Sequence, residues 1–394
     1  MATLVQPRTV RRAVLPAEPH RAKAGRVRHL GPNWYASVMG TAIVATGGAT
    51  LPLHVPGLRT AAAVVWALSA VLLAALLTAR ARHWIHHRDQ ARAHLMDPAI
   101  APFLGCLPMA LLAVGGATLT VGRDWIGTQA AVAVDAVLFT AGTVTGLAVA
   151  VAVPYLMVVH HRIEHAAPAW LLPVVPPMVS AALGPLLVPY LPADGPWRET
   201  LLLGCYAMFG LSLLATLLVL PLVFGRLVTG GPLPLALTPT LFLVLGPLGQ
   251  SATAANKFAD AAPGVLPAPY ASGFTGFAVL YGVPVMGFAL LWLALAGAMV
   301  VRARRRGMGF AMTWWAFTFP VGTCVTGAEG LAQHTGLDAF RWLAVGLYAL
   351  LVAAWSAAAV LTARGLLSGA LLRGPGPAAG SAPGARRPGT ARTR

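Results

Sequence analysis

WWAFTFPVGTCVTG, residues 314–327, contains a proline inside an apolar run with the composition of a membrane helix. Proline lacks a backbone N–H and clashes with the preceding turn, which costs about 3 kcal/mol or more in a helix interior. Lipid offers no water to satisfy the carbonyl that the proline frees. A broken helix at this depth is tolerated where protein buries it or where it lines a water-filled cavity, so the stretch indicates one of these environments.

Composition assigns the chain to the membrane class. Hydrophobic residues make up 57% and charged residues 10%, and mean hydropathy is +0.72, whereas soluble domains carry about 25% charged residues. Apolar runs near the roughly 20 residues of a membrane helix recur throughout. They predict an all-α integral membrane protein with ten spans, at residues 33–53, 60–80, 99–121, 129–158, 168–191, 200–224, 236–256, 271–301, 310–333 and 339–363.

Basic residues indicate the orientation of these spans. Of 28 Lys and Arg residues, 23 lie in the two tails and in the connections on one side of the predicted helices, and five lie on the other. Because cytoplasmic loops are enriched in Lys and Arg, both termini are predicted to be cytoplasmic, in a multi-pass plasma (inner) membrane protein. This pattern explains the net charge of +17 without a nucleic-acid partner. The predicted domains are a basic disordered tail (1–30), a ten-helix transmembrane domain (31–365) and a low-complexity tail (366–394).

Helix-breaking residues recur at equal intervals in the odd-numbered spans. Gly40, Pro108, Pro176, Pro247 and Pro320 are separated by 68, 68, 71 and 73 residues, and Pro177 doubles the third. This is a repeat of about 70 residues, which predicts five helical hairpins. Five breaks at equal depth favour five inner helices around a central pore, with smooth even-numbered helices outside. The alternative is a packed core in which the prolines only fit their neighbours.

Five stretches of the inner spans resemble the tellurite-resistance/dicarboxylate transporter family, which includes fungal malate permeases, sulfite efflux pumps and plant slow anion channels. They are GPNWYASVMGTAIVATGG (31–48), DPAIAPFLGCLPMALL (97–112), WLLPVVPPMVSAALG (170–184), LTPTLFLVLGPLGQSATAA (237–255) and WWAFTFPVGT (314–323). The resemblance implies a pore in each protomer of a homotrimer, embedded in lipid. It implies transport of anions, namely C4-dicarboxylates such as malate, sulfite or small inorganic ions. It also implies a phenylalanine gate, matched here by Phe319 directly before Pro320. Because no complete catalytic motif is evident in the sequence, we expect no cofactor and no enzyme activity.

An anion path should lack carboxylates and offer weak hydrogen-bond donors. The centres of the odd-numbered spans contain no Asp or Glu, and their small and polar residues are candidates to line the pore: Ser37, Gly40, Thr41, Ser180, Gly246, Gln250, Ser251 and Thr323. For each hydroxyl the alternative is a bond to its own backbone or to a neighbouring helix.

Two charged residues are candidates for a proton or charge site. Asp135 lies inside an apolar stretch of the fourth span, where an ionisable residue is a functional candidate by default; a structural partner such as Arg123 is the alternative. Lys257, at the end of the seventh span, could attract anions to a pore mouth, or it could simply pair with Asp260.

Histidines in two connections suggest a different class of protein. HWIHH contains His83, His86 and His87, and HHRIEH contains His160, His161, Glu164 and His165. Such boxes resemble those of membrane di-iron desaturases and hydroxylases, and imidazole is a suitable iron ligand. The third box of such a site is missing, however. We therefore expect no metal, and we interpret these histidines as interfacial residues at helix ends.

Overall fold

The computed structural model describes residues 30–53, 55–161 and 165–372, and within these ranges it is helical with no strand. Most of both predicted tails, and Glu164 of the second histidine box, lie outside the described residues. The α-helices are α1 Tyr35–Thr50, α2 Leu58–His86, α3 Arg88–Met96, α4 Cys106–Ala117, α5 Arg123–Ile126, α6 Thr128–Val159, α7 Pro176–Leu183, α8 Trp197–Gly230, α9 Leu245–Ala261, α10 Ala268–Arg305, α11 Phe319–Thr335 and α12 Asp338–Leu367.

Shorter helices of other types extend these elements. A π-helical turn, Thr118–Gly122, joins α4 to α5. The 3₁₀ helices are Pro32–Trp34, Ala101–Gly105, Pro168–Leu171, Gly184–Tyr190, Leu235–Val244, Met312–Phe317 and Ala370–Leu372. Five of them precede α1, α4, α7, α9 and α11, so each odd-numbered span changes from 3₁₀ to α-helix along its length.

The prolines stand where the α-helical parts begin. Pro176 is the first residue of α7, Pro320 is the second of α11, and Pro108 and Pro247 are the third residues of α4 and α9. In the first turn of an α-helix the missing N–H has no intrahelical partner to lose, and the fixed φ angle suits the helix. The proline therefore starts an α-helix instead of kinking the interior of one.

The first span differs from the other four. α1 continues through Gly40 without interruption, so the prediction of a break at this glycine is wrong. A Cβ atom at Gly40 would collide with the side chains of Thr318 and Trp315. The glycine is therefore needed for close packing of α1 against the last inner span, and the change of helix type occurs earlier, after Pro32–Trp34.

Burial separates inner from outer elements. In the most apolar window of α2, α6, α8, α10 and α12, 22% of residues are buried, against 83% in residues 101–126 and 78% in residues 235–261. Among the described residues, these seven elements are long and apolar enough to cross a membrane. The predicted spans 33–53, 168–191 and 310–333 are divided into shorter helices. The described part of the chain is thus all helical and carries several helices of membrane-spanning length and composition, as expected of an integral membrane protein.

The inner helices contact one another in a closed ring. α1 packs against α4, α4 against α7, α7 against α9, α9 against α11, and α11 against α1. Each also packs against the long helix that follows it in the chain, which is α2, α6, α8, α10 or α12. The turns within these hairpins lie at one end of the molecule, called the hairpin end here. The connections between hairpins lie at the other, called the connection end.

Two predicted features of the connections and outer helices need correction. Residues 79–94 were expected to form a loop, but α2 extends to His86 and α3 covers Arg88–Met96. The even-numbered spans were predicted to be largely smooth, with Pro221 and Pro284 nearer the ends of theirs. Pro154, Pro221 and Pro284 lie inside α6, α8 and α10, which run through them; membrane helices tolerate proline where neighbouring groups satisfy the freed carbonyl.

Candidate functional site

A cavity of about 350 Å³ opens at the hairpin end and reaches into the ring. All five inner segments line it. The first cavity residue along each segment, and so the one furthest from the hairpin end, is Ile43 of α1, Ala113 of α4, Val179 of α7, Gln250 of α9 and Phe319 of α11. These five residues form the floor of what we call the hairpin-side cavity.

A second, nearly closed groove of about 10 Å³ enters the same ring from the connection end. The five inner segments line this connection-side groove too, through residues in or near the 3₁₀ helix of each segment: Asn33, Ala36, Met39, Phe103, Cys106, Leu172, Thr240, Leu243, Met312, Thr313 and Ala316. Ala316 and Phe319 lie three residues apart on one segment. In this segment the change from 3₁₀ to α-helix, with Phe319, therefore lies at the boundary between the two spaces.

Phe319 and Phe317 have different surroundings. Phe319 is the first residue of α11, is 3% exposed and lies in the floor of the hairpin-side cavity. Phe317 is partly buried and packs edge-on against Phe242, with ring centroids 4.8 Å apart, and against Trp314. The two rings are thus directed to different neighbours.

Glycines allow the inner helices to approach closely around the floor. A Cβ atom at Gly249 would lie 2.5 Å from the backbone of Thr323 and Cys324, and one at Gly322 would collide with Ile43. Gly246, one turn before Gly249, has no heavy atom within 4 Å of its Cβ position although it is buried. α9 therefore touches α11 at one glycine and faces open space at the other.

The candidate lining residues are distributed between the cavity and the outer helices. Gln250 lies in the floor, and its Oε1 has no hydrogen-bond partner within the described ranges. The hydroxyls of Thr41 and Ser180 meet outer helices: Thr41 accepts a bond from Trp355 Nε1 (3.0 Å), and Ser180 pairs with Thr143 (2.9 Å). Ser37, Ser251 and Thr323 donate to the carbonyls of Trp34, Leu248 and Pro320, at 2.7, 2.9 and 2.7 Å.

Charged groups surround the mouth of the hairpin-side cavity. Lys257, Arg59 and Arg123 line it. Lys257 pairs with Asp260 at 2.8 Å, and Arg59 pairs with Asp124 at 2.6 Å. These exposed pairs keep three cations at the mouth while neutralising part of their charge.

Asp135 lies away from this cavity, at the contact between α6 and α4. Its Oδ1 lies 2.5 Å from the Cβ position of Gly115, and its Oδ2 has no hydrogen-bond partner among the described residues. Arg123, considered above as its partner, is 3.9 Å from Asp124 instead. Asp135 is thus a buried carboxyl between an inner and an outer helix.

Sequence reasoning missed Glu329 as a cavity residue. It falls near the end of the predicted span 310–333 and is absent from the candidate lining residues. In the structure Glu329 lines the cavity and is 3% exposed, and its Oε2 forms a 2.6 Å hydrogen bond with Thr50 Oγ1. The available signal was its position ten residues after Phe319, nearly three helical turns further along the same helix.

Histidines of both boxes contact α3 or neighbouring histidine rings. The rings of His83 and His94 stack with centroids 5.6 Å apart, and His87 lies 5.9 Å from His83. His161 bonds the carbonyl of Leu95 at 3.1 Å. Among the residues described, no group of three or more His, Cys, Asp or Glu side chains is arranged to hold a metal ion. These contacts connect α2, α3 and the end of α6.

Comparison with known proteins agrees with this architecture. A family model described as voltage-dependent anion channel (SLAC1) matches residues 29–363. The chain belongs to this family. The match confirms the family resemblance carried by the five inner stretches, and it spans all the inner and outer helices.

Individual relatives within the family are transporters. An uncharacterized transporter of Methanocaldococcus jannaschii is 26% identical over 363 residues, which cover 91% of this chain and 99% of the relative. A sulfite efflux pump of Arthroderma otae is 28% identical over 344 residues, and one of Trichophyton rubrum is 28% identical over 348; in both cases 85% of this chain and 90% of the relative are covered. Family membership therefore supports anion transport across a membrane as the general function.

Proposed function

We propose that this protein moves small anions across the plasma membrane along the axis of its inner ring, with Phe319 as the gate. The chain then has ten spans in five hairpins, and both termini are cytoplasmic. The connection-side groove faces the cytoplasm and the hairpin-side cavity faces outward. The excess of Lys and Arg at the connection end supports this orientation.

One observation carries the proposal. All five inner segments line both the hairpin-side cavity and the connection-side groove. A space that all five segments line at both ends is expected to lie along their common axis. Packing alone does not require cavities to align on both sides of the same ring.

The floor of the cavity supports an apolar gate. Four of its five residues, Ile43, Ala113, Val179 and Phe319, present hydrocarbon to the cavity, and the fifth is Gln250. A hydrophobic constriction stops ions because they would have to shed water without receiving hydrogen bonds in return. Phe319 is the largest of these side chains, so its movement opens the path most.

The substrate we propose is a small oxyanion such as sulfite, with C4-dicarboxylates and chloride as alternatives. The curated relatives include sulfite efflux pumps. Arg59, Arg123 and Lys257 at the mouth attract anions over several ångströms and raise their local concentration. Uptake of labelled sulfite, malate and chloride into the same proteoliposomes ranks the three; faster flux of malate or chloride than of sulfite would contradict this choice.

Replacing Phe319 by alanine tests the gate. We expect Phe319→Ala to raise anion flux in proteoliposomes by about tenfold or more, which corresponds to removing about 1.4 kcal/mol of barrier. Phe317→Ala is the matched control, since it removes an identical side chain that packs against Phe242 and not into the cavity.

The control also determines which result contradicts the assignment. A rise in flux with Phe317→Ala but not with Phe319→Ala would show that the gate is Phe317 and that our assignment is wrong. If neither variant changes flux, a phenylalanine gate does not operate in this protein.

A further inference from the structure

Glu329 is a buried carboxyl in the space that the proposed function gives to an anion. It lines the hairpin-side cavity and is 3% exposed. Its Oε1 has no hydrogen-bond partner among the described residues, and its Oε2 has Thr50. An ionised carboxylate held by so few donors is costly to bury, and it repels an anion entering the same cavity.

The nearby cations do not form ion pairs with Glu329. Within residues 30–53, 55–161 and 165–372, Lys257 pairs with Asp260, and Arg59 and Arg123 lie against Asp124. The charge of these cations is thus shared with acids at the mouth, and Glu329 is left without a dedicated partner.

The remaining titratable neighbours are also engaged elsewhere. His334 on the same helix lies 3.3 Å from Asp260 and 3.3 Å from the carbonyl of Asn256. Tyr348 of α12 donates to the carbonyl of Val44 at 3.2 Å. Tyr190, after α7, lines the cavity. None of these groups occupies the hydrogen-bonding position that Thr50 has.

The contact with Thr50 suits two protonation states of the carboxyl. Thr50 Oγ1 lies 2.6 Å from Glu329 Oε2 and 2.9 Å from the carbonyl oxygen of Thr46. A hydroxyl has one proton to donate. When the Thr50 hydroxyl donates its hydrogen bond to an ionised Glu329, the short distance is typical of a charge-assisted bond. When the Thr50 hydroxyl instead donates to the carbonyl of Thr46, a protonated Glu329 can donate a hydrogen bond to Thr50 Oγ1. Thr50 is exposed, so protons can reach the pair from water.

We propose that Glu329 binds a proton whenever an anion occupies the hairpin-side cavity. This inference rests on the proposed function and adds a proton site to it. The proton comes from bulk water, forms an O–H bond on the carboxylate, and returns to water when the anion leaves. The neutral carboxyl removes the repulsion between two negative charges and leaves the cations at the mouth to attract the anion.

The first experiment measures protons directly. Nitrate is added to the purified wild-type protein in unbuffered detergent solution containing a pH indicator, because nitrate itself does not titrate near neutral pH. At a starting pH at which Glu329 is ionised in the absence of nitrate, we expect up to about one proton taken up per bound nitrate, and none with Glu329→Gln. Nitrate binding is followed separately by the rise in unfolding temperature. Asp135→Asn, a neutralised buried carboxyl outside the cavity, is compared with Glu329→Gln.

The second experiment measures nitrate flux in proteoliposomes from pH 5 to pH 8. In the wild type, flux should fall with rising pH, by up to about tenfold per unit, the limit for one proton. Glu329→Gln should pass nitrate with little dependence on pH, and Glu329→Asp should keep the dependence.

Three outcomes overturn the inference while leaving anion transport intact. The first is nitrate binding without proton uptake in the wild type. The second is Glu329→Gln keeping the wild-type pH dependence, or passing no nitrate although it is monodisperse. The third is loss of proton uptake with Asp135→Asn and not with Glu329→Gln, which moves the site to Asp135. If the wild type passes none of nitrate, sulfite, malate and chloride, the proposed function fails, and this inference with it.

Discussion

Phe319 and Glu329 stand ten residues apart on one helix, α11, and line the same cavity. At 1.5 Å per residue they are separated by about 15 Å along the helix. The Phe319 side chain lies in the floor of the hairpin-side cavity, and the Glu329 carboxyl lies nearer its mouth. One helix thus carries both the proposed barrier and the proposed proton site.

Gly249 and Gly246 offer a test of packing at the residue scale. Gly249→Ala puts a methyl group 2.5 Å from the backbone of α11, so the two helices must separate. Overpacking of this kind costs about 1–3 kcal/mol, and we expect a lower unfolding temperature in detergent. Gly246→Ala is the matched control on the same helix. Its new methyl group would have open space around it, so it should not lower the unfolding temperature. Equal losses would contradict the close approach of α9 and α11.

The candidate site was only partly predictable from the sequence at this scale. Gln250 was expected in the lining and lies in the floor. Thr41 and Ser180 were proposed with it, yet they bond Trp355 and Thr143 on outer helices. A polar side chain in a membrane helix needs a hydrogen-bond partner. The sequence does not show how the helix is rotated about its axis, so it does not tell which neighbour supplies that partner. Glu329 was set aside because its depth was judged from a span boundary alone.

At the scale of elements, the breaks follow from local chemistry. Proline fixes φ and removes a donor wherever it stands, so the positions of Pro108, Pro176, Pro247 and Pro320 predicted where the inner segments change. The 3₁₀ helices before them were not predictable. Short 3₁₀ segments depend on packing against neighbours more than on their own sequence. Gly40 shows the limit of the repeat, since glycine permits a break without enforcing one.

Pro320 gives a prediction at this scale. Pro320→Ala restores an N–H that can pair with the carbonyl of Ala316, so α11 can extend backward and turn Phe319 away from the floor. We expect a severalfold rise in anion flux in proteoliposomes, smaller than that of Phe319→Ala. Pro284→Ala is the control, because Pro284 lies exposed within α10 and lines neither the hairpin-side cavity nor the connection-side groove. An equal rise in both variants would show that the effect is not local to the gate.

At the scale of the whole molecule, the ring depends on a contact that sequence does not show. α1 packs against α11, although more than 260 residues separate them in the chain. A repeat predicts five similar hairpins, but not that the last returns to the first. The homotrimer stays a prediction, because the structure contains one chain and each chain has its own complete ring.

The most direct test of a central path uses two adjacent positions on α1. Thr46 lines the hairpin-side cavity, whereas Ala45 is fully buried against Ala62 and Ala63 of α2. The three native cysteines are buried, so a membrane-impermeant, anionic thiol reagent should react mainly with an introduced one. Each position is changed to cysteine in the Phe319→Ala background, and anion flux is measured in right-side-out vesicles before and after external reagent. We predict that the reagent blocks flux through Thr46→Cys and leaves Ala45→Cys unaffected; full flux through a labelled Thr46→Cys would contradict conduction along the ring axis.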